Sequence, residues 1–311
     1  MAKTLLTDYA QSATAEEDDG RRPSVGGISE GMDQSLRIST RTFDRLARFV
    51  TAELGIKMPE SKVSMIQSRL ARRIRELDLG SIDDYCEYLF AAATAESERV
   101  YFIDAVTTNK TDFFREPQHF KYLTGTALPQ LVSAGALGLE RRLSVWSAGC
   151  SSGEEPYTLA MLLSEYALTH PPFEFRILAT DVSTKVLQTA RDGIYPRQLI
   201  EPVPAPLRPK YFLQSREDQS VRIKAALRRT VSFHHLNFMD ADYGVREMFD
   251  VIFCRNVLIY FDRPTQQAVI ARLCRNLNPG AYLFVGHSES LSGLDLPLVS
   301  VGSSCFRKLD E

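Results

Sequence analysis

Apolar and polar positions follow two different rhythms along the chain, and the change between them divides it. Between residues 36 and 102, Phe43, Leu46, Ala47, Val50 and Leu54 recur at three- and four-residue steps, the period of an amphipathic helix. A helix predicted over 61–77 repeats the pattern, with Val63, Ile66, Leu70 and Ile74 as its inward stripe. An all-helical domain over 34–105 follows. Beyond Leu143, apolar runs at 143–146, 175–179, 231–236, 251–254 and 282–285 alternate with helical patterns. Such alternation predicts an α/β domain over 106–311, a doubly wound parallel sheet covered by helices. Residues 298–309 read as two short strands about Gly302-Ser303, a terminal hairpin that adds an antiparallel edge. Residues 210–213 and 220–224 read as strands around polar 214–219, so a small β insertion is expected at about 206–230. Residues 1–33 hold the acidic run Glu16-Glu17-Asp18-Asp19 and almost no periodic apolar positions, the composition of a disordered tail.

A length of 311 residues suits two folded units plus that tail. A net charge of −2 gives no global attraction to nucleic acid or membrane, so any partner argument rests on local charge. Residues 36–80 carry ten Lys/Arg against five Asp/Glu, and Arg69, Arg72, Arg73 and Arg75 cluster on the helix at 61–77. That asymmetry suggests an anionic partner, although the same arginines also fit a solvated helix face. The five cysteines are widely spaced with no C-x-x-C, so neither a zinc framework nor a disulfide pattern is suggested, and no metal is expected. No stretch approaches the roughly 18 apolar residues of a membrane span, and a cytoplasmic protein is expected.

The chemistry concentrates at predicted strand ends. The first strand runs into Gly149-Cys150-Ser151-Ser152-Gly153-Glu154-Glu155, where ligands of open α/β sheets sit. A pyrophosphate needs bare N–H groups and a helix start free of negative charge, so two glutamates there disfavour a dinucleotide. They suit a cationic, phosphate-free ligand such as S-adenosylmethionine. Asp181, 28 residues past Gly153, ends the second strand where an acid can accept both ribose hydroxyls, although an acid after a strand is more often a helix cap. Asn237 and Phe238 end the third strand with an amide for an adenine edge and a ring for its face; Arg255 and Asn256 end the fourth.

The stretches 107–116, 146–157, 179–181, 249–261 and 286–289 together resemble the chemotaxis receptor glutamate O-methyltransferases, the CheR type, over roughly residues 36–309. The resemblance implies a Rossmann-like methyltransferase domain that holds S-adenosylmethionine through Asn109, Thr111, Arg115, Glu155, Asp181, Asn237, Phe238, Arg255 and Asn256. It implies that Arg115 and Tyr260 border the transferring methyl group. It also implies a substrate, the cytoplasmic helical bundle of methyl-accepting chemoreceptors, that meets the helical domain, for which Arg69, Arg72 and Arg73 are the candidate contacts. Family members that tether to a receptor's C-terminal peptide have a glycine-containing loop in the β insertion. This chain has Gln214-Ser215-Arg216-Glu217-Asp218-Gln219 instead, so tethering is not expected.

Transfer to a carboxylate needs no general base, because a glutamate is already ionised at neutral pH. The absence of a Ser-His-Asp set or a metal cluster from the motifs accords with that. Each candidate has a plainer alternative. Arg115 fits a surface ion pair with Glu116 or Asp112; Tyr260 fits a core position in the apolar run 257–261; Cys254 reads as an inert buried thiol; His287 fits a structural histidine. Two other functions compete: a nucleic-acid methyltransferase using the basic helix, and a non-catalytic module that binds S-adenosylmethionine. Against the first, the fourth strand ends in Cys-Arg-Asn, without the Asn/Asp-Pro-Pro-aromatic or Pro-Cys elements that base methylation uses.

Overall fold

The structure, a computed structural model, describes residues 37–91, 95–133 and 141–310; the tail expected at 1–33 lies outside the described residues. The chain divides into two compact units after Thr107.

The first unit holds α1 (Thr40–Leu54), α2 (Val63–Glu76), α3 (Ile82–Phe90) and α4 (Ala95–Val106). Ser39 starts α1 by accepting the Thr42 N–H at 3.2 Å, and Gly55 ends it with a φ of 68°, the left-handed geometry glycine adopts without a Cβ penalty. The predicted stripe is the core: Ile66, Leu70 and Ile74 are buried with Leu46, Val50, Tyr85, Leu89 and Phe102. The start of α2 differs from expectation, because Pro59 opens a 3-10 turn, Glu60–Lys62, before the α-helix begins.

The second unit opens with α5 (Pro117–Tyr122), a π-helical turn (Leu123–Ala127) and α6 (Leu128–Ser133). It continues through β1 (Leu143–Ala148), α7 (Glu154–Thr169), β2 (Phe175–Asp181), α8 (Thr184–Asp192), β3 (Ile194–Pro196), α9 (Leu207–Tyr211), β4 (Phe212–Gln214), β5 (Ser220–Ile223), α10 (Ala225–Arg228), β6 (Val231–His235), β7 (Phe249–Cys254), α11 (Arg263–Arg275), β8 (Leu277–Val285), β9 (Leu298–Gly302) and β10 (Cys305–Lys308). Seven strands form one sheet in the order β6-β2-β1-β7-β8-β10-β9. The first five are parallel, and β10 and β9 add the antiparallel edge. β1 and β7 lie at its centre and are buried along their whole length, as continuous apolar runs require. The chain moves outward from β1 to β6 on one side and restarts at β7 on the other, so the strand order reverses between β1 and β7, the switch point at which open α/β sheets bind ligands.

The remaining strands form an antiparallel sheet in the order β3-β5-β4. Its first strand lies upstream of the span expected for the insertion. Residues 207–211, part of which read as strand, form the short helix α9, whose prolines Pro206 and Pro209 suit a first helical turn. No helix among the described residues is long and apolar enough to cross a membrane.

Candidate active site

Four loops meet at the carboxyl ends of the parallel strands. The loop after β1 turns sharply: Gly149 has a φ of 85°, and a Cβ there would come within 2.5 Å of the Val257 side chain. Any other residue at 149 would push the β1 and β7 loops apart. Gly153, with a φ of 98°, starts α7, and Glu154 and Glu155 occupy its first turn. Asp181 at the end of β2 closes the turn from beside: Oδ2 accepts the Ser151 N–H at 2.8 Å and Oδ1 the Ser183 N–H at 3.0 Å. The acid is therefore a local cap at the end of β2. The 108–116 loop docks on the same turn through the Ser151 hydroxyl, which donates to the Asn109 carbonyl at 2.8 Å.

Beneath these loops lies Arg255, the one buried Lys or Arg among the described residues. Its Nη1 donates to Glu155 Oε2 at 3.0 Å, and its Nη2 donates to the Arg115 carbonyl at 2.6 Å and to Glu116 Oε2 at 3.0 Å. Its guanidinium also faces the Phe120 ring, 5.4 Å from the centroid. Glu155 takes a further bond from the Ser147 hydroxyl at 2.7 Å. Burial opposes ionisation of Glu116, but the charge and hydrogen bond of Arg255 and the Asn256 amide more than offset it, leaving the carboxyl below the usual range.

Glu289 plays the corresponding part below the β7 loop. It accepts the backbone N–H groups of Asn256 at 2.9 Å, Gly286 at 2.5 Å and Ile259 at 3.3 Å, and burial still holds its carboxyl above the usual value. Four of the six described non-glycine residues with positive φ lie in these loops: Phe114, Glu116, Ser151 and Asn256. Each left-handed residue costs about 1 kcal/mol or more, and such clusters persist where surrounding bonds over-determine the backbone.

The remaining candidates take their places around this frame. Phe238 is buried beside Gly149 and packs against Tyr243 and Phe261. Asn237 is half-buried, its Oδ1 accepting the Met239 N–H at 3.0 Å. Thr111 and Arg115 are half-buried; the Arg115 side chain donates to the Lys110 carbonyl at 3.0 Å, and Glu116 pairs with Arg255 rather than with its neighbour. Tyr260 is half-buried on a 3-10 turn, Leu258–Tyr260, that follows Asn256. Cys150 and Cys254 are fully buried, and burial pushes both thiols well above their ordinary value, so neither is a nucleophile.

Arg69, Arg72 and Arg73 lie on α2 in the helical unit and differ sharply. Nη1 of Arg69 donates to the carbonyls of Ala105, Val106 and Thr107, closing the end of α4. Arg73 pairs with the buried Glu98 at 2.5 Å and lies over the Tyr101 ring. Arg72 is 82% exposed and pairs with Glu76 along the same helix.

Glu116, His119 and Glu289 gained no role from the sequence pattern, although two of them sit inside recognised motifs. Glu116, His119 and His287 bring ligand-type atoms within 4.8 Å of one another. The Glu116 oxygen that lies 3.4 Å from His119 Nδ1 also accepts from Arg255 Nη2, so this carboxylate already serves a buried cation. Burial, with the nearby charges of Arg255 and His287, pushes the His119 imidazole down to about 4, and neither ring nitrogen makes a well-formed hydrogen bond.

The carboxylates of Glu116, Glu155 and Asp181 outnumber the buried cation, and α7 begins with two acids. This donor set suits a phosphate-free cation with a ribose and would repel a pyrophosphate. Comparison with known proteins agrees. Residues 41–107 match the family described as CheR methyltransferase, all-alpha domain, and residues 109–305 match CheR methyltransferase, SAM binding domain. A chemotaxis protein methyltransferase of Borreliella burgdorferi is 38% identical over 261 residues, 83% of this chain and 91% of that protein. Chemotaxis protein methyltransferase 2 of Pseudomonas aeruginosa is 37% identical over 276 residues, 88% of this chain and 95% of that one. The Escherichia coli chemotaxis protein methyltransferase is 36% identical over 281 residues, 88% and 93% of the two chains. With both family domains matched in order and relatives alike over most of their length, the chain belongs to the CheR methyltransferases and uses S-adenosylmethionine as its cofactor.

Proposed function

We propose that the chain methylates glutamate side chains on the cytoplasmic helical bundle of chemoreceptors, with the cofactor seated over the β1 and β7 ends. The observation that carries this reading is the pair of carboxylates, Glu116 and Glu155, sharing the one buried arginine among the described residues, with Asp181 at the next strand end, in a chain related to chemotaxis methyltransferases over most of its length. Asn109, Thr111, Arg115, Glu155, Asp181, Asn237, Phe238, Arg255 and Asn256 form the cofactor shell. Asp181 takes the ribose hydroxyls, Asn237 and Phe238 the adenine, and Glu155 the cationic end.

When bound, the cofactor supplies a sulfonium-activated methyl group. Transfer to an incoming glutamate carboxylate would exchange the carbon–sulfur bond for a carbon–oxygen bond, leaving an ester and a thioether with one positive and one negative charge lost. Charge is annihilated along this path, so a site that strips water from the carboxylate lowers the barrier. The residues of the chain therefore aim and desolvate; none has to take a proton. Arg115 holds charge at the rim, and the Tyr260 hydroxyl bonds the reacting oxygen.

Arg72 is the exposed member of the arginine cluster and is the contact for an acidic receptor helix; Arg69 and Arg73 shape the surface around it. The 215–219 loop is closed on itself, with Ser215 Oγ accepting the Glu217 and Asp218 N–H groups and Asp218 accepting that of Ser220. We read the receptor bundle, and not a tethered peptide, as the docking element.

Incubation with methyl-labelled cofactor and a receptor fragment, RNA or buffer tests the reading. Base-labile label on the receptor alone is expected. Label on RNA, or base-stable label on receptor, overturns it, and label on nothing leaves only a binding module.

A further inference from the structure

We propose that Glu116 is a positioning residue that sets the cofactor shell by clamping Arg255, Asn256 and the His287 backbone at once. The inference rests on the assignment of Glu155 and Asn256 to the cofactor and adds what holds them there. Glu116 makes no surface ion pair with Arg115; it turns inward. Its Oε2 accepts from Arg255 Nη2 at 3.0 Å and from the His287 N–H at 3.2 Å, and its Oε1 accepts from Asn256 Nδ2 at 3.2 Å. One carboxylate thus joins the 108–116 loop to the ends of β7 and β8.

The other terminal nitrogen of Arg255 holds Glu155, so Glu116 and Glu155 share one guanidinium through different nitrogens. With Nη1 and Nη2 both engaged beneath the loops, the Arg255 side chain serves the cofactor through Glu155. Glu116 and Asn256, the bonded pair, both hold left-handed backbone, with φ values of 55° and 58°. Without the clamp each relaxes toward ordinary geometry, which turns the Asn256 amide away and frees Arg255 to swing. A carboxylate is required in this place: an amide keeps one acceptor but presents N–H groups to a guanidinium and a backbone N–H.

The test is a double-mutant cycle on S-adenosylhomocysteine affinity, measured by calorimetry with E116Q, E155Q and the pair in the full-length chain. E116Q is expected to weaken binding about 10-fold and E155Q about 30-fold, with the pair no more than about 3-fold worse than E155Q alone, because Glu116 reaches the cofactor mainly through Arg255 and Glu155. The KM for S-adenosylmethionine should rise in E116Q by the same factor while kcat changes less than about 3-fold, a split that a general loss of structure does not produce. If E116Q does not fold, E116D replaces it in the cycle under the same criterion. E155Q impaired with E116Q unchanged, or factors that multiply, overturns the clamp and leaves the site reading intact. Unchanged affinity in E155Q overturns both.

Discussion

Replacing Arg255 with methionine keeps the length of the side chain and removes its charge. Three hydrogen bonds go with it, two of them to carboxylates, and Glu116 and Glu155 are left as like charges in a nearly closed space, their side chains only 14% and 13% exposed. Removing one partner of a buried ion pair typically costs about 3–5 kcal/mol, because the remaining charge keeps its desolvation penalty. For a unit of about 200 residues this lowers the melting temperature by roughly 6–20 °C. The chain has a single tryptophan, and Trp146 is fully buried in β1, so its fluorescence reports unfolding of the methyltransferase unit alone. With the guanidinium gone, burial is opposed on Glu116 only by the Asn256 amide and His287, and its carboxyl moves up, so the deficit should shrink as pH falls from 8 to 5. Adding E116Q and E155Q to the variant should restore most of the loss. A shift below about 2 °C, or a deficit that grows on acidification, refutes the buried charge network.

Arg72→Glu should raise the KM for receptor and leave folding and cofactor affinity alone. Arg73→Glu instead sets a second carboxylate against the buried Glu98 and should destabilise the helical unit by about 3 kcal/mol or more, read by denaturant titration; equal receptor kinetics in wild type and Arg72→Glu would remove that contact. Tyr260→Phe should lower kcat on the order of 100-fold with cofactor affinity unchanged, and wild-type turnover would reject the hydroxyl's role. His119, buried neutral with its imidazole near 4 against 6.5 for a free side chain, binds a proton readily only when unfolded. Stability should therefore fall by up to about 3 kcal/mol between pH 6.5 and pH 4 on its account. His119→Phe should flatten the profile over that window, and an unchanged slope in thermal melts would contradict the assignment.

The strands were legible because a strand buried on both faces is an unbroken apolar run: β1, β7 and β8 stand where the runs at 143–146, 251–254 and 282–285 fall. β3 was not legible, because three residues ending in Pro196 have too short a pattern to show a period. The strand-end residues Asp181, Arg255 and Asn256 could be found from their place after apolar runs. The work of Glu116 could not, since its partners lie 139 and 140 positions away and only the sheet order brings them together. The arginine cluster shows a second limit. Sequence spacing groups Arg69, Arg72 and Arg73, while packing makes Arg69 a helix cap and Arg73 a buried partner and leaves Arg72 facing solvent.

In the proposed shell, Glu155 in the first turn of α7 and Asp181 at the end of β2 seat the cofactor. Titration of S-adenosylhomocysteine into the purified chain, beside Asp181→Asn and Glu155→Gln, measures this seating most directly. One site per chain is predicted for the unmodified protein, with affinity at least about 30-fold weaker in each variant, the loss of roughly 2 kcal/mol expected for charge-assisted hydrogen bonds. Wild-type affinity in both variants would place the cofactor elsewhere.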